Sequence, residues 1–304
     1  YSLEPIKNWF QKRLNVEIPL LSEFKNIPES LCLMENIRFF KGEKDNASEL
    51  SAMISNCFDV YVMDAFATAH RQSASTYGAI LEAKEACAGQ LFSQEIKSLD
   101  SALHNSENVL SIVGGSKVST KLNVIKNLIS NSSKVLVGGG IANTFLKAAG
   151  HEVGISLVED EMIDISRKLL DTNKIILPKN VYVANSTQDN SAELVPVQDV
   201  NKNKMILDIE LSEEVRSISN HKYIIWNGPL GIFEIEQFSN GTKQLINFLE
   251  NSSSNVIAGG GETIYAISKF SDIKKFNYVS TAGGAFLEYL SGYRLPSIEA
   301  LRLK

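Results

Sequence analysis

Glycine is distributed unevenly along this 304-residue chain, and its clustering is the feature that most constrains the fold. The first 113 residues contain three glycines, whereas twelve of the 19 lie in five short clusters further on. The clusters occupy residues 114–115, 138–140, 228 and 231, 259–261, and 283–284. Each follows a short apolar or β-branched run, which is typical of a buried strand. These runs are residues 109–113, 134–137, 223–226, 255–258 and 277–280.

Helical spacing of apolar residues returns after the glycine turns, for example at residues 121–129, 144–149 and 241–249. Strand, glycine turn and helix therefore recur five times. This repetition predicts an α/β fold in which a parallel sheet is wound with helices. Ligands of such sheets bind beyond the carboxyl ends of the strands, where the glycine turns are expected to lie.

The five glycine turns together predict a site for a phosphate group or a nucleotide. Without a Cβ, the backbone N–H groups can approach a ligand closely, and the helix N-terminus that follows favours an anion. For any single turn, the alternative that glycine only allows tight packing remains open. Two common nucleotide motifs are absent. Residues 114–117 lack the first glycine and the Ser/Thr of a P-loop, and Asn143 stands where a dinucleotide fingerprint needs its third glycine.

The first ninety residues predict two more buried strands, at 31–38 and at 59–66, the second continuing to Arg71. Each ends in an arginine, so Arg38 and Arg71 are expected on one rim, where a guanidinium can bind a phosphate or carboxylate at two points. The alternative is a solvated charge or a salt bridge, for example with Glu35. His70 is interpreted as a hydrogen-bonded structural residue. The spacing of residues 83–103 predicts a helix that acts as a hinge.

Length and composition narrow the class of protein. A chain of 304 residues is long enough for about two domains, and no stretch approaches the roughly 20 apolar residues that a membrane helix needs. The net charge of −5 argues against sequence-independent binding to nucleic acid or anionic lipid. Cys32, Cys57 and Cys87 form no CxxC pair and are predicted to be buried thiols. No signal-peptide pattern is present, so we predict a cytoplasmic protein without nucleic-acid or membrane partners.

Seven motifs resemble those of the phosphoglycerate kinase family, in the family's order and over the whole chain. The family segments are LLENVRF, DVYVNDAFGTAHR, GGAKVSDK, IGGGMAYTF, WNGPMGVFE, GGGDT and STGGGA. Their counterparts here are residues 33–39, 59–71, 113–121, 137–145, 226–234, 259–263 and 280–285. Seven long motifs in the same order make this resemblance very specific.

The resemblance implies a kinase of glycolysis and gluconeogenesis. It would transfer a phosphoryl group reversibly between 1,3-bisphosphoglycerate and MgADP, giving 3-phosphoglycerate and MgATP, with Mg²⁺ as cofactor. The implied fold has two α/β domains with parallel, helix-flanked, Rossmann-like sheets that face a cleft, in a cytoplasmic monomer. Residues 1–91 would form part of the 3-phosphoglycerate domain, 92–105 a hinge helix, 106–288 the nucleotide domain, and 289–304 a tail on the first domain.

The resemblance also implies roles for charged residues. Lys117 and Lys121 would be catalytic, contacting the nucleotide phosphates and the transferring group. Arg38 and Arg71 would bind the phosphoglycerate, and Glu262 would hold Mg²⁺. Phosphoryl transfer needs in-line positioning and positive charge over the equatorial oxygens, so the lack of an obvious nucleophile is no objection.

The remaining implied residues bind the nucleotide. Leu157 and Leu207 would flank adenine, and Glu234 would bind the ribose hydroxyls. The full set comprises Gly115, Lys117, Lys121, Gly139, Leu157, Leu207, Asn227, Pro229, Glu234, Gly260, Gly261, Glu262 and Thr263.

Two departures from the family pattern matter. Glu262 stands where the family usually has Asp, so its metal ligation, direct or through water, is a hypothesis. Residues 1–5 resemble the stretch that follows the family's SHLGRP motif. We therefore expect the molecule to contain preceding segments that complete the substrate site. The alternative interpretation is a fragment that binds ADP without turnover.

Overall fold

The computed structural model describes residues 1–103, 106–213, 215 and 221–304. The chain divides into two compact units. The N-terminal unit comprises Tyr1–Gln94 and Arg294–Lys304, and the C-terminal unit comprises Glu95–Tyr293. The last two residues of the predicted hinge helix, 104 and 105, lie outside the described residues.

The helices and strands alternate along most of the chain. The α-helices are α1 (Glu4–Leu14), α2 (Ser48–Ser55), α3 (Ala79–Glu82), α4 (Gln90–Leu103), α5 (Val118–Asn131), α6 (Gly139–Ala148), α7 (Ile163–Leu170), α8 (Asn240–Glu250), α9 (Gly261–Phe270), α10 (Gly284–Leu290) and α11 (Pro296–Arg302). The strands are β1 (Leu20–Leu21), β2 (Leu33–Met34), β3 (Val60–Met63), β4 (Glu85–Ala88), β5 (Val109–Val113), β6 (Lys134–Val137), β7 (Ile175–Ile176), β8 (Asn180–Ala184), β9 (Glu193–Pro196), β10 (Met205–Ile209), β11 (Tyr223–Asn227), β12 (Asn255–Gly259) and β13 (Tyr278–Ser280).

A parallel sheet with the strand order β13-β12-β11-β5-β6-β7 forms the centre of the C-terminal unit. Five of its strands are the predicted ones, with ends that differ by at most one residue. Leu110, Ile112 and Trp226 are buried in its core, as expected for parallel strands that are covered on both faces. The predicted α/β fold with a helix-flanked parallel sheet is confirmed.

A second sheet of the C-terminal unit was not predicted. It is antiparallel, with the order β10-β8-β9. These strands are not followed by glycine turns, so the pattern that indicated the parallel strands does not occur in them. Their inward side chains, among them Val181, Val183 and Ile209, join the same core as the parallel sheet.

The predicted N-terminal strands are shorter than expected. β2 ends at Met34, and β3 ends at Met63 instead of continuing to Arg71. After β3 the chain forms a 3₁₀ turn at Phe66–Thr68, where the Thr68 hydroxyl donates to the Ala65 carbonyl at 2.9 Å. Such local side-chain bonds compete with strand formation.

The prediction of a helix over residues 83–103 is wrong for the residues before Gln90. Glu85–Ala88 instead forms β4, which pairs in parallel with β3. The helix α4 begins at Gln90, where the Asp64 carboxylate accepts the backbone N–H of Phe92 at 2.9 Å and caps its first turn.

The last helix, α11, belongs to the N-terminal unit. The Ser297 hydroxyl donates to the Thr76 carbonyl at 2.6 Å, and the Ser297 N–H donates to the Ala69 carbonyl at 3.2 Å. Ser297 therefore forms hydrogen bonds with the backbone on both sides of Arg71, at Ala69 and at Thr76. No described helix is long and apolar enough to cross a membrane.

Two further expectations about side chains are wrong. The three cysteines are free, but Cys87 is exposed and the other two are only partly buried. Val60 and Val62 of β3 are also exposed. Their face of the two-stranded β3–β4 sheet is largely uncovered by the described residues.

Candidate nucleotide and substrate sites

A cavity of about 380 Å³ opens where several glycine turns of the C-terminal unit meet. The turns after β5, β6 and β11 contribute to it, together with β10 and the first turn of α9. Seven of the predicted nucleotide-binding residues line it: Gly115, Gly139, Leu157, Leu207, Pro229, Glu234 and Glu262. The carboxyl ends of parallel strands thus form a pocket, as the glycine pattern predicts.

One part of this cavity is apolar. Leu207 lies on β10 and is buried, whereas the Leu157 side chain is 53% exposed. An exposed large apolar side chain in a cavity wall is available to a flat apolar ligand. Asn143, which sequence analysis did not assign, also lines this cavity, and its Nδ2 faces the Ile206 carbonyl at 3.4 Å.

The Lys121 ammonium lies at the turns next to this cavity. Its Nζ donates to the Gly114 carbonyl at 2.7 Å and lies 3.4 Å from the Asn227 carbonyl. Burial lowers the pKa of Lys121 to about 8, and the nearby Glu262 carboxylate opposes this shift. Lys117 is exposed at the N-cap position of α5. The two lysines are thus one helical turn apart at a helix N-terminus, which is itself favourable for anions.

Hydrogen bonds join the remaining predicted residues into one framework. The Asn227 Nδ2 donates to the Gly259 carbonyl at 2.7 Å, and the Thr263 hydroxyl accepts the Gly228 N–H at 2.8 Å. Gly260 and Gly261 begin α9 within this framework. None of Lys117, Lys121, Asn227, Gly260, Gly261 and Thr263 is in the cavity wall itself.

Glu262 fits a magnesium site that is completed by substrate. It is an exposed carboxylate at the second residue of α9 and lines the cavity. Mg²⁺ in proteins is usually bound through one or two carboxylates plus substrate phosphates, and keeps several waters. No group of three or more His, Cys, Asp or Glu side chains that could hold a metal occurs in the described residues. Substrate phosphates and waters would therefore have to supply the other ligands.

Asp208 is a buried carboxylate in the cavity wall that sequence analysis missed. It is 1% exposed, and it accepts the N–H groups of Ile209 at 2.9 Å and Gly241 at 2.8 Å. Burial raises its pKa to about 7, although the backbone N–H groups and Lys243 oppose this shift. An acidic residue inside the apolar run of residues 205–209 is the sequence signal that could have indicated it.

Lys269, near the C-terminal end of α9, is another residue that was not predicted from the sequence. Its Nζ donates to the carbonyls of Phe233 at 3.1 Å and Glu234 at 2.9 Å. Nothing in the local sequence links residue 269 to residue 234, so only the fold reveals this contact.

The N-terminal unit has a cavity of its own, of about 790 Å³, and both Arg38 and Arg71 line it. In the described part of the chain, neither arginine forms a salt bridge. Glu35, the alternative partner, instead accepts the Ser2 hydroxyl at 2.6 Å and the Leu3 N–H at 2.8 Å. Both guanidinium groups are exposed and available to an anion.

The loop that follows Arg71 is organised by a buried carboxylate. Glu43 accepts the hydroxyls of Ser73 at 2.7 Å and Ser75 at 2.6 Å, and the Ser75 N–H at 3.0 Å. The Nδ1 atom of His70 is buried and has no hydrogen-bond partner among the described residues. The described residues therefore provide no hydrogen bond at that atom, and the interpretation of His70 as a hydrogen-bonded residue stays a prediction.

Comparison with known proteins gives the same family along the whole chain. A family model described as phosphoglycerate kinase matches residues 1–293. Phosphoglycerate kinases of Psychrobacter sp. (strain PRwf-1) and Vibrio campbellii are 43% and 41% identical to this chain. The alignments cover 99% and 100% of this chain, and 81% of each relative.

Solved structures give the same result. A phosphoglycerate kinase from Coxiella burnetii superimposes with a TM-score of 0.94 at 41% identity, and covers 100% of this chain and 81% of that one. A phosphoglycerate kinase from Pyrococcus horikoshii superimposes with a TM-score of 0.81 at 26% identity, with coverages of 100% and 82%.

Proposed function

This chain belongs to the phosphoglycerate kinase family, and on that basis we propose that its C-terminal cavity binds ADP or ATP and its N-terminal cavity binds phosphoglycerate. The chain is an ATP-dependent phosphotransferase with a carboxyl group as acceptor. It transfers a phosphoryl group reversibly between 1,3-bisphosphoglycerate and ADP, giving 3-phosphoglycerate and ATP in glycolysis. The observation that best supports the site assignment is Lys121, a partly buried ammonium where the glycine turns after β5 and β11 meet.

The charges of the C-terminal unit suit this reaction. The bond between the acyl oxygen and phosphorus breaks while a β-phosphate oxygen of ADP bonds to the same phosphorus, so no proton has to move. Lys121 and Lys117 stabilise the negative charge on the transferring group, together with the N-termini of α5 and α9. The glycine turns bring backbone N–H groups close to the phosphates. Leu157 and Leu207 bind the base, and Glu234 the ribose.

We propose Mg²⁺ as the cofactor, held by Glu262 and the nucleotide phosphates. When bound, it neutralises part of the phosphate charge. Glu262 carries one methylene more than the usual aspartate, and its exposed position leaves room for that group. Asn227 and Thr263 hold the turns at the start of α9 through the Gly259 carbonyl and the Gly228 N–H, and the first residues of α9 would receive the phosphates.

The division of the chain supports the proposed domain organisation. The boundary between Gln94 and Glu95 falls inside the hinge helix proposed at residues 92–105. Arg294–Lys304 belongs to the N-terminal unit, which supports the proposed tail on that domain from residue 294 onward, whereas residues 289–293 of the proposed tail belong to the C-terminal unit. We further propose that the protein acts as a cytoplasmic monomer, a state that analytical ultracentrifugation of the full-length protein would test.

A coupled assay tests the proposed function as a whole. ADP-dependent consumption of 1,3-bisphosphoglycerate is measured with the full-length protein and with the 304-residue chain. We expect turnover by the full-length protein. Binding of ADP with turnover by neither protein would contradict the proposal and favour the non-catalytic alternative.

Substitution of Arg71 tests the phosphoglycerate site. We expect Arg71→Ala to raise the KM for 3-phosphoglycerate by about tenfold or more, because hydrogen bonds to charged groups contribute about 1.5–3 kcal/mol. The KM for ATP should stay unchanged. Arg13→Ala, an arginine of the same unit outside this cavity, is the control. Equal effects on both KM values, or none, would contradict the assignment.

Substitution of Glu262 tests the metal site. We expect Glu262→Ala to raise the Mg²⁺ concentration needed for half-maximal activity and to weaken MgADP binding measured by calorimetry. Glu262→Asp should preserve both, because it retains the carboxylate. Glu161→Ala, which removes an exposed carboxylate outside the cavity, is the control. An unchanged Mg²⁺ dependence in both Glu262 variants would rule out this role.

Substitution of Leu157 tests the base site. Because its side chain is 53% exposed, Leu157→Ala should change the free energy of unfolding by less than about 0.5 kcal/mol. It should raise the KM for ADP by about three- to tenfold, since the base would bury this side chain. Leu194→Ala, at an exposed leucine outside the cavity, should leave the KM unaltered. The assignment fails if both variants behave alike.

A further inference from the structure

The Glu234 side chain does little to anchor the loop that carries it. Glu234 is exposed, and it forms no salt bridge in the described part of the chain. The preceding residue, Phe233, is 1% exposed. Its ring packs edge-on against Tyr265, with centroids 5.3 Å apart, and lies 6.5 Å from the ring of Phe270. Both partners lie on α9, so this helix supports the loop.

Lys269 completes this support through the backbone. Its ammonium donates to the carbonyls of Phe233 at 3.1 Å and Glu234 at 2.9 Å. Because the ammonium bonds the carbonyl oxygens, the Glu234 carboxylate stays available as an acceptor for a ligand. Hydrogen bonds from a charged donor are stronger than neutral ones, so this contact fixes the loop better than a neutral side chain would.

The same helix begins at the proposed phosphate site. Gly261, Glu262 and Thr263 form its first turn, and the Thr263 hydroxyl accepts the Gly228 N–H at 2.8 Å. Lys269 follows Gly261 by eight residues, which corresponds to about 12 Å along a helix axis. One rigid helix therefore contacts the phosphate turn at its start and the Glu234 loop at its end.

We propose that Lys269 is a positioning residue that holds Glu234 at the ribose hydroxyls of the nucleotide. This inference rests on the proposed function, in which Glu234 binds the ribose. Lys269 does not touch the nucleotide. It sets the distance between the ribose contact and the phosphate contacts through α9.

The test compares two nucleotides that differ only in the ribose hydroxyls, ADP and 2′,3′-dideoxy-ADP. The kcat/KM for each is measured in the direction of ATP formation, with the full-length protein. The wild type is expected to prefer ADP by about tenfold or more, since its hydroxyls bond a charged carboxylate. Lys269→Met should lower this preference about three- to tenfold, mainly through the KM for ADP. Lys269→Arg should retain most of it, because a guanidinium can also donate to two carbonyls.

Two further variants separate positioning from general damage. Lys275→Met removes a lysine of the 3₁₀ turn Ile273–Lys275 that follows α9, where it pairs with Glu250 at 3.2 Å, and should leave the preference unchanged. Glu234→Ala should abolish the preference, and adding Lys269→Met to it should change the preference no further. If Glu234→Ala abolishes the preference but Lys269→Met leaves it intact, the positioning role is wrong and the ribose site stands. If the wild type uses ADP and 2′,3′-dideoxy-ADP equally, both the positioning role of Lys269 and the ribose site at Glu234 are wrong.

Discussion

Lys121→Met is expected to lower kcat by about 10³-fold or more without unfolding the protein. The ammonium lies where the turns after β5 and β11 meet, with its Nζ 2.7 Å from the Gly114 carbonyl. Removing one charged group that stabilises a phosphoryl or oxyanion transition state typically costs 10²–10⁵-fold in rate, roughly. Methionine retains the unbranched, apolar part of the side chain, so the packing changes little. Steady-state kinetics and a urea titration of the same variant measure both effects.

The pH profile provides the control for Lys121. Its pKa is lowered to about 8 by burial, so the ammonium of the free enzyme loses its proton as the pH rises through that value. We expect kcat/KM of the wild type to fall on the alkaline side near pH 8. In Lys121→Arg this alkaline fall should disappear, because arginine stays charged. If kcat/KM falls identically at alkaline pH in the two proteins, a group other than Lys121 causes the fall.

Gly228→Ala is expected to destabilise the C-terminal unit by about 3 kcal/mol or more. The residue has φ +99°, which an alanine rarely adopts. A Cβ there would lie within 3.0 Å of the Gly114 carbonyl oxygen and 2.8 Å from the Lys121 Nζ. The backbone contact cannot be relieved without moving β5 or β11, whose ends it joins. Urea unfolding followed by circular dichroism measures the loss, and the variant should also lose most of its activity.

Gly261→Ala is the matched variant in another glycine turn. Its φ is not positive, and a Cβ there would meet nothing within 4 Å. We expect its free energy of unfolding to stay within about 0.5 kcal/mol of wild type. The KM for ADP should nevertheless rise, because a methyl group would occupy the space that a phosphate needs beside the helix N-terminus. Equal stabilities of the two alanine variants would show that the strain at Gly228 does not exist in the folded protein.

The parallel sheet could be predicted from the sequence because its signals are local. A buried run of four or five residues, a glycine turn and a helical period lie next to one another in the chain, as at residues 134–148. The antiparallel strands β8–β10 lack that sequence of signals, and β4 was mistaken for helix. Their strand conformation depends on pairing with partners elsewhere in the chain, and tertiary context decides such segments.

The functional residues likewise divide into those that local sequence signals indicated and those that only the tertiary structure revealed. The motifs identified Lys121, Glu262, Arg38 and Arg71, although the expected strand up to Arg71 was wrong. The resemblance supplied their roles, which remain proposals until the variants are measured. Asp208 could have been noticed as a charge in an apolar run. Lys269 could not, because its partners lie 35 and 36 residues away in sequence.

The sequence by itself therefore determined the α/β class, because periodicity and glycine placement act over a few neighbouring residues, and its motifs indicated the family. Ligand binding at the glycine turns stays a prediction. Only the tertiary structure decided which distant groups meet. It brought the Lys121 ammonium to the carbonyls of Gly114 and Asn227, placed Arg38 and Arg71 in one cavity wall, and joined Lys269 to the Glu234 loop. The physical reason is that packing and burial set these contacts and shift the pKa of Lys121, and both depend on the whole fold.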